Sequence, residues 1–245
     1  MPLDHPIAVV GLDLLHDSDL GVQAFARHVG ELLPIDRARL VVAGMRGALE
    51  GKADLSAEAA AAFPGLDLAT AYTGADVVAT LAAAAGLSGD QIGAARTAAA
   101  HDLARSAWTV GPASGLSDLR RLLTAHGVQL ATTSSSPIGV PEVLDAIEMP
   151  DLPWLVVAPG RRRDWWLDAV RPDDAAPTPT PPVPAGHHLV IAGRPADLSA
   201  PSSVGVTTGL VDRFGRAADG SPAATWTARD LTGLLPAITD WLEHR

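Results

Sequence analysis

The sequence predicts an α/β protein: a doubly wound parallel sheet whose first strand is followed by an inserted, all-helical unit. Short apolar runs at 7–12, 128–132, 154–158, 189–192 and, more weakly, 204–207 are continuous rather than alternating. That is the pattern of strands covered on both faces. Helical stripes lie between the later runs, and strand followed by helix, repeated, implies right-handed crossovers onto a parallel sheet. Between 19 and 113 the rhythm stops, in a stretch rich in Ala with no strand-like run.

The elements follow in chain order. Ile7-Ala8-Val9-Val10 leads into Gly11-Leu12-Asp13. The insertion reads as helices near 20–33, 36–50, 57–63, 74–86 and 89–109, with Ser88 and Gln91 in capping-box spacing before the last. A helix at 116–126 puts Leu116, Leu119, Leu122 and Leu123 on one stripe and stops at Gly127. A helix at 140–148 carries Pro141 in its first turn, where a missing N–H costs nothing. The last helix, 228–244, gathers Leu231, Leu234, Leu235, Ile238 and Trp241 on one side. Residues 172–186 are too rich in Pro for helix or sheet interior and read as a stiff, extended linker. The expected organisation is a core of 1–18 plus 114–245, containing the linker, and a helical unit of 19–113.

Composition narrows the function classes. A chain of 245 residues with 47% apolar content can bury a large core. A net charge of −10 argues against nucleic acid or an anionic membrane as partner. There is no Cys, so thiolate catalysis, disulfides and Cys-ligated metals are excluded. No apolar run approaches the roughly 18 residues of a membrane span, and no secretory signal pattern opens the chain. The expectation is a soluble, cytoplasmic protein.

The order of the loops after the strands resembles the haloacid dehalogenase superfamily, with a helical cap inserted after the first strand. The family's first motif, an apolar strand then Asp-x-Asp-Gly-Thr with a Leu-x-Asp-Ser tail, is matched by the strand at 7–12 and by Leu15-His16-Asp17-Ser18. The second, a Ser or Thr ending the next strand, is matched by Thr132-Thr133-Ser134. For the third, a Lys, the best match is Arg171 before Pro172. The fourth, a strand, Gly-Asp and a further Asp, then a helix of small residues and Gly-Val, is outlined by 190–208, with Gly193, Asp197 and Gly205-Val206. The resemblance implies a Rossmann-like core, a magnesium ion held by carboxylates, and an Asp nucleophile.

Departures from those motifs shape the functional expectation. If Asp13 is the second Asp of motif one, Gly11 stands at the nucleophile; if Asp13 is the nucleophile, Leu15 stands at its acid partner. In motif four the Asp after Gly193 is absent and Arg194 follows, leaving Asp197. A hard divalent cation wants carboxylate oxygens, and a guanidinium nearby repels it. The expectation is therefore a degenerate member that has lost magnesium-dependent phosphoryl transfer, with no cofactor. It would act as a binding, scaffolding or regulatory protein for a small anionic molecule or a protein partner. The alternative is an active hydrolase, of phosphatase or dehalogenase type or with repurposed metal-free chemistry, using Asp13 as nucleophile or acid/base with Asp197. Magnesium belongs only to that alternative, on Asp13 and Asp197. Thr133, Ser134 and Arg171 are the candidate anion-binding residues.

Smaller signals carry less. Lys52, the single lysine, is flanked by Glu50 and Asp54 and reads as a surface residue rather than a Schiff-base former. His187 and His188 are adjacent, so they point to opposite sides of a strand and cannot share a metal. His16 lies near the expected site as an acid/base candidate, against the plainer reading of a loop histidine. Arg161 to Arg163 read as a solvated run, and at least one of Trp165 and Trp166 as core.

Overall fold

The computed structural model describes residues 5–51, 57–157, 184–217 and 221–245. Its centre is a six-stranded, wholly parallel sheet of order β3-β2-β1-β4-β5-β6. The strands are β1 (Ile7–Gly11), β2 (Gln129–Ser134), β3 (Trp154–Val156), β4 (Leu189–Ala192), β5 (Thr207–Val211) and β6 (Trp226–Ala228). Chain order runs outward from β1 in both directions, which places the first strand's carboxyl end at the middle of the sheet.

Continuous apolar strands give this sheet two dry faces. Ala8 and Val10 of β1 point to one side, with Leu189 and Ile191 of β4, and pack on α7 (Leu116–Ala125), α8 (Val140–Ala146) and α10 (Leu231–His244). Val9 and Val190 point to the other, against Leu198 of α9 (Pro195–Ser203), Val206 and Leu210. Neighbours along a strand serve opposite cores, so neither register can slip without exposing one of them.

Helices α1 (Leu12–Leu15), α2 (Asp19–Glu31), α3 (Ile35–Leu49), α4 (Ala57–Ala62), α5 (Gly74–Ala84) and α6 (Gly89–Arg105) follow β1. The longer of them enclose a core of their own, including Phe25, Val41, Met45, Val78 and Leu81, which Phe214 from the loop after β5 joins. Thr73 and Ser88 open α5 and α6 with reciprocal capping boxes. The chain leaves and re-enters the sheet side by side: Asp17 N–H donates to Gly111 O at 2.9 Å, and Ala113 N–H to Leu15 O at 3.0 Å. Among the described residues no helix is long and apolar enough to cross a membrane.

Several boundaries differ from expectation. The weak strand expected at 204–207 is displaced to Thr207–Val211, because Val204 ends α9 and Gly205 turns the chain at φ 84°. The final helix starts at Leu231, not 228: Ala228 belongs to β6, and Asp230 caps the helix by accepting from Gly233 N–H at 2.8 Å. The helix expected to 109 stops at Arg105 and a 3-10 turn covers Ala107–Thr109. Ala158, the Pro-rich linker before 184, Lys52, Arg161 to Arg163, Trp165 and Trp166 lie outside the described residues.

Candidate functional site

The carboxyl ends of parallel strands in such a sheet open onto one crevice, and the candidate residues sit there. Gly11 ends β1 directly opposite Thr133 of β2. Asp13 follows in the first turn of α1. On the other side of β1, Ala192 ends β4, Gly193 and Arg194 form the loop, and Asp197 lies in the first turn of α9. Asp13, Thr133 and Asp197, all expected from sequence, line one cavity of about 40 Å³ together with Gly11 and Gly193. That space holds a few waters.

Ser134 is not among the residues lining this cavity. Its hydroxyl accepts from Ser136 N–H at 3.3 Å and shapes the turn after β2. Arg171 lies outside the described residues. His16 is buried where the two connecting chains pair: it bridges to Pro112, and its Nδ1 lies 3.0 Å from the Asp17 carbonyl. His188 is buried under the sheet, and its Nδ1 accepts from Ile7 N–H at 3.3 Å. Both have evident structural work.

Gly11 has a specific consequence. Its backbone, φ −57° and ψ 137°, suits any L residue, yet a Cβ built there would lie 2.7 Å from Asp13 Oδ1. The Asp13 carboxylate thus occupies the space a side chain on residue 11 would need. Gly193 admits a second close approach: a Cβ there would stand 3.3 Å from Thr73 Cγ2, of the helical unit, and 3.8 Å from Asp13 Oδ2.

Arg194 stands in the loop after β4, next to Gly193 of the cavity wall. Its Nε donates to Asp76 Oδ2 at 2.9 Å and its Nη2 to Asp76 Oδ1 at 2.8 Å, a bidentate pair across from the loop after β4 to the N-terminus of α5. Nη2 also reaches Thr73 Oγ1 at 3.3 Å. Burial by itself would lower the Arg194 pKa, but the hydrogen bonds and charge of Asp76, with Asp13 and Asp197 beyond it, carry it above the ordinary value. Arg96, stacked over the Phe25 ring at 5.2 Å, is pushed down by burial and then by the charge of Arg194, against the pull of Asp76.

These donors do not fit magnesium. A hard dication needs several oxygen ligands, commonly more than one carboxylate. Here Asp13 and Asp197 share their surroundings with a guanidinium, and residue 11 offers no side chain. Among the described residues no three His, Asp or Glu side chains come together to hold a metal.

A wider cleft of about 500 Å³ lies between the sheet and the helical unit and shares Asp13 and Gly193 with the small cavity. Its walls carry Arg213 and Arg229, the carboxylates Asp13, Asp17 and Asp230, the hydroxyls of Ser18, Tyr72 and Ser114, and apolar Leu14, Val211 and Leu231. Arg213 is engaged by Asp19 at 2.7 Å and by the Leu49 carbonyl at 2.8 Å, while Arg229 is exposed. The two arginines lay beyond the motifs that organised the sequence reading. Only the fold, by opening the loops after β5 and β6 onto the same cleft as the end of β1, brings them to one site with Asp13.

This sheet order, with helices on both faces and a helical unit after the first strand, is the fold of the haloacid dehalogenase-like hydrolases. A hydrolase from Pseudomonas syringae matches with a TM-score of 0.52 at 18% identity, covering 96% of this chain and 98% of its own. CbbY from Rhodobacter sphaeroides, solved in complex with phosphate, matches with a TM-score of 0.52 at 16% identity over 94% and 96%. A haloacid dehalogenase-like family hydrolase from Streptococcus pneumoniae matches with a TM-score of 0.51 at 15% identity over 96% and 99%. At such identities the likeness is one of fold. No protein-family model matches the chain, and no curated protein matches it in sequence.

Proposed function

We propose that this chain keeps a haloacid dehalogenase-like core, 1–18 plus 114–245, and a cap, 19–113, but has lost magnesium-dependent phosphoryl transfer. It acts instead as a binding protein, of regulatory or scaffolding use, that takes a small anionic molecule in the core–cap cleft. One observation carries the reading. The first strand ends in Gly11, opposite Thr133, where the fold's chemistry calls for a carboxylate, and the Asp13 carboxylate lies in the space which that side chain would occupy. An anionic nucleophile approaching phosphate must be screened by a cation. Here the nucleophile's position is bare, and the nearby cation is already bound to Asp76.

Binding suits what is left. The cleft has small-molecule dimensions, and exposed Arg229, with the hydroxyls of Ser18 and Ser114, can recognise carboxylate or phosphate on a wall that also carries Asp13, Asp17 and Asp230. A second reading, a metal-free hydrolase using Asp13 with Asp197, is favoured by their joint lining of one cavity with Thr133.

A panel of phosphate esters and haloacids, assayed with and without magnesium alongside Asp13→Ala, separates the two. Silence across the panel, with a carboxylate or phosphate ligand raising the melting temperature in wild type but not in Arg229→Ala, is the expected result. Turnover that vanishes in Asp13→Ala would establish the hydrolase. If that turnover also required magnesium, the loss of phosphoryl transfer would be wrong.

A further inference from the structure

We propose that Arg194 is a built-in cation: its guanidinium offsets the carboxylates at the carboxyl end of the sheet and straps the cap to the core. It is a positioning residue, and the inference rests on the reading that no divalent ion is held there. Asp76 is ready for it. The Asp76 Oδ2 atom already accepts from Thr73 N–H at 3.0 Å, so the carboxylate is oriented by the cap of its own helix before the arginine arrives. The Arg194 side chain is 31% exposed and that of Asp76 19%, which shields the pair from much of the screening that empties surface ion pairs. Two carboxylates of the core, Asp13 and Asp197, act on the same guanidinium electrostatically.

The position is what makes the pair a strap. The cap is joined to the core by the paired connecting chains around His16 and Pro112. A hinge alone would let it swing. Arg194 fastens it over the loop after β4, where Gly193 lets Thr73 come close, and Arg213 adds a tie to Asp19 and the Leu49 carbonyl.

Amide hydrogen exchange on the full chain tests this in wild type, Arg194→Gln and Arg194→Lys, with Asp76→Asn as a second break of the pair from the other side. Expected is an increase of about tenfold in exchange along α5 in Arg194→Gln and Asp76→Asn, with α7 and α10 unchanged. Arg194→Lys, which keeps the charge but not the fork, falls between. Unchanged exchange in α5, or an equal rise throughout the chain, overturns the strap. Calorimetric titration of wild type with Mg²⁺ alone separates this failure from that of the functional reading. Heat of binding there would sink the loss of metal and the built-in cation together. A silent titration with unchanged α5 exchange sinks the strap only.

Discussion

Gly11 offers the sharpest check on the site. Its φ and ψ lie in the extended region open to all L residues, so adding a side chain strains nothing in the backbone. Replacing glycine there also narrows the unfolded ensemble, a gain of roughly 0.4–1 kcal/mol. Against that, the new Cβ would sit 2.7 Å from Asp13 Oδ1. Asp13 is exposed, so its carboxylate can swing clear at a rotamer cost of about 0.5–1.5 kcal/mol. These nearly cancel, and Gly11→Ala should match wild type to within about 1 kcal/mol. Gly11→Asp differs by one charge. Two carboxylates about 4 Å apart repel by about 1 kcal/mol in water and about 4 kcal/mol at the effective dielectric of a protein surface. We expect Gly11→Asp to be about 1–3 kcal/mol less stable than Gly11→Asn at neutral pH, in urea denaturation. Equal stability of the Asp and Asn variants at neutral pH would refute the placement of Asp13, and a loss above about 3 kcal/mol for Gly11→Ala would mean that Asp13 cannot move.

Other consequences are independent of the site. A Cβ at Gly44 in α3 would come within 2.3 Å of Leu81 Cδ1, which is fully buried in α5, so Gly44→Ala should cost about 1–3 kcal/mol by overpacking; an unshifted denaturation midpoint would show that the two helices part freely. Asp102 on α6 accepts a hydrogen bond from His28 of α2, and this, with the charges of Arg27, Arg105 and His28, holds its pKa below the ordinary carboxylate value. Its contribution is complete above about pH 3.9 and is lost as pH falls through the lower folded value. Exchange between α2 and α6 should therefore quicken only in strong acid, and Asp102→Asn should remove that step; loosening that begins near neutrality would contradict the assignment.

What the sequence disclosed follows from which signals are local. The continuous runs of β1, β2 and β4 announce strands with two dry faces, and the caps at Thr73 and Ser88 sit within a turn of the residues they serve. β6 escaped notice because Trp226-Thr227-Ala228 is too short to show a period, and its place is set by pairing with β5. The shift of β5 has a similar cause. Val204 and Val206 look like strand residues, but Gly205 between them turns the chain, and both serve the core from the end of α9. At the site, Gly11 and Arg194 were legible as departures from the motifs the sequence resembles. The destination of Arg194 was not. Asp76 is 118 residues away, inside a helix whose carboxylate reads as an ordinary N-terminal cap.

Under the proposed function, Gly11 and Arg194 form one change in charge balance. A divalent ion can offset the first Asp, the second and the acidic group of the last motif together, whereas a single guanidinium cannot. With arginine in the loop after β4, a carboxylate on residue 11 would face Asp13 with only the charge of Arg194 to share among Asp13, Asp197 and Asp76. Glycine at 11 removes that excess and lets Asp13 settle into the space. Arg194, in turn, gains a bidentate partner only because the cap presents Asp76 there. On the proposed reading, glycine at 11 and arginine at 194 make each other tolerable and leave a neutralised, strapped site. The sheet, the helices and the buried faces do not depend on these residues, since none of them belongs to a core. Changing either position alone therefore worsens the charge balance: Gly11→Asp adds an anion beside Asp13, and loss of Arg194 removes the guanidinium that Asp76, Asp13 and Asp197 act on.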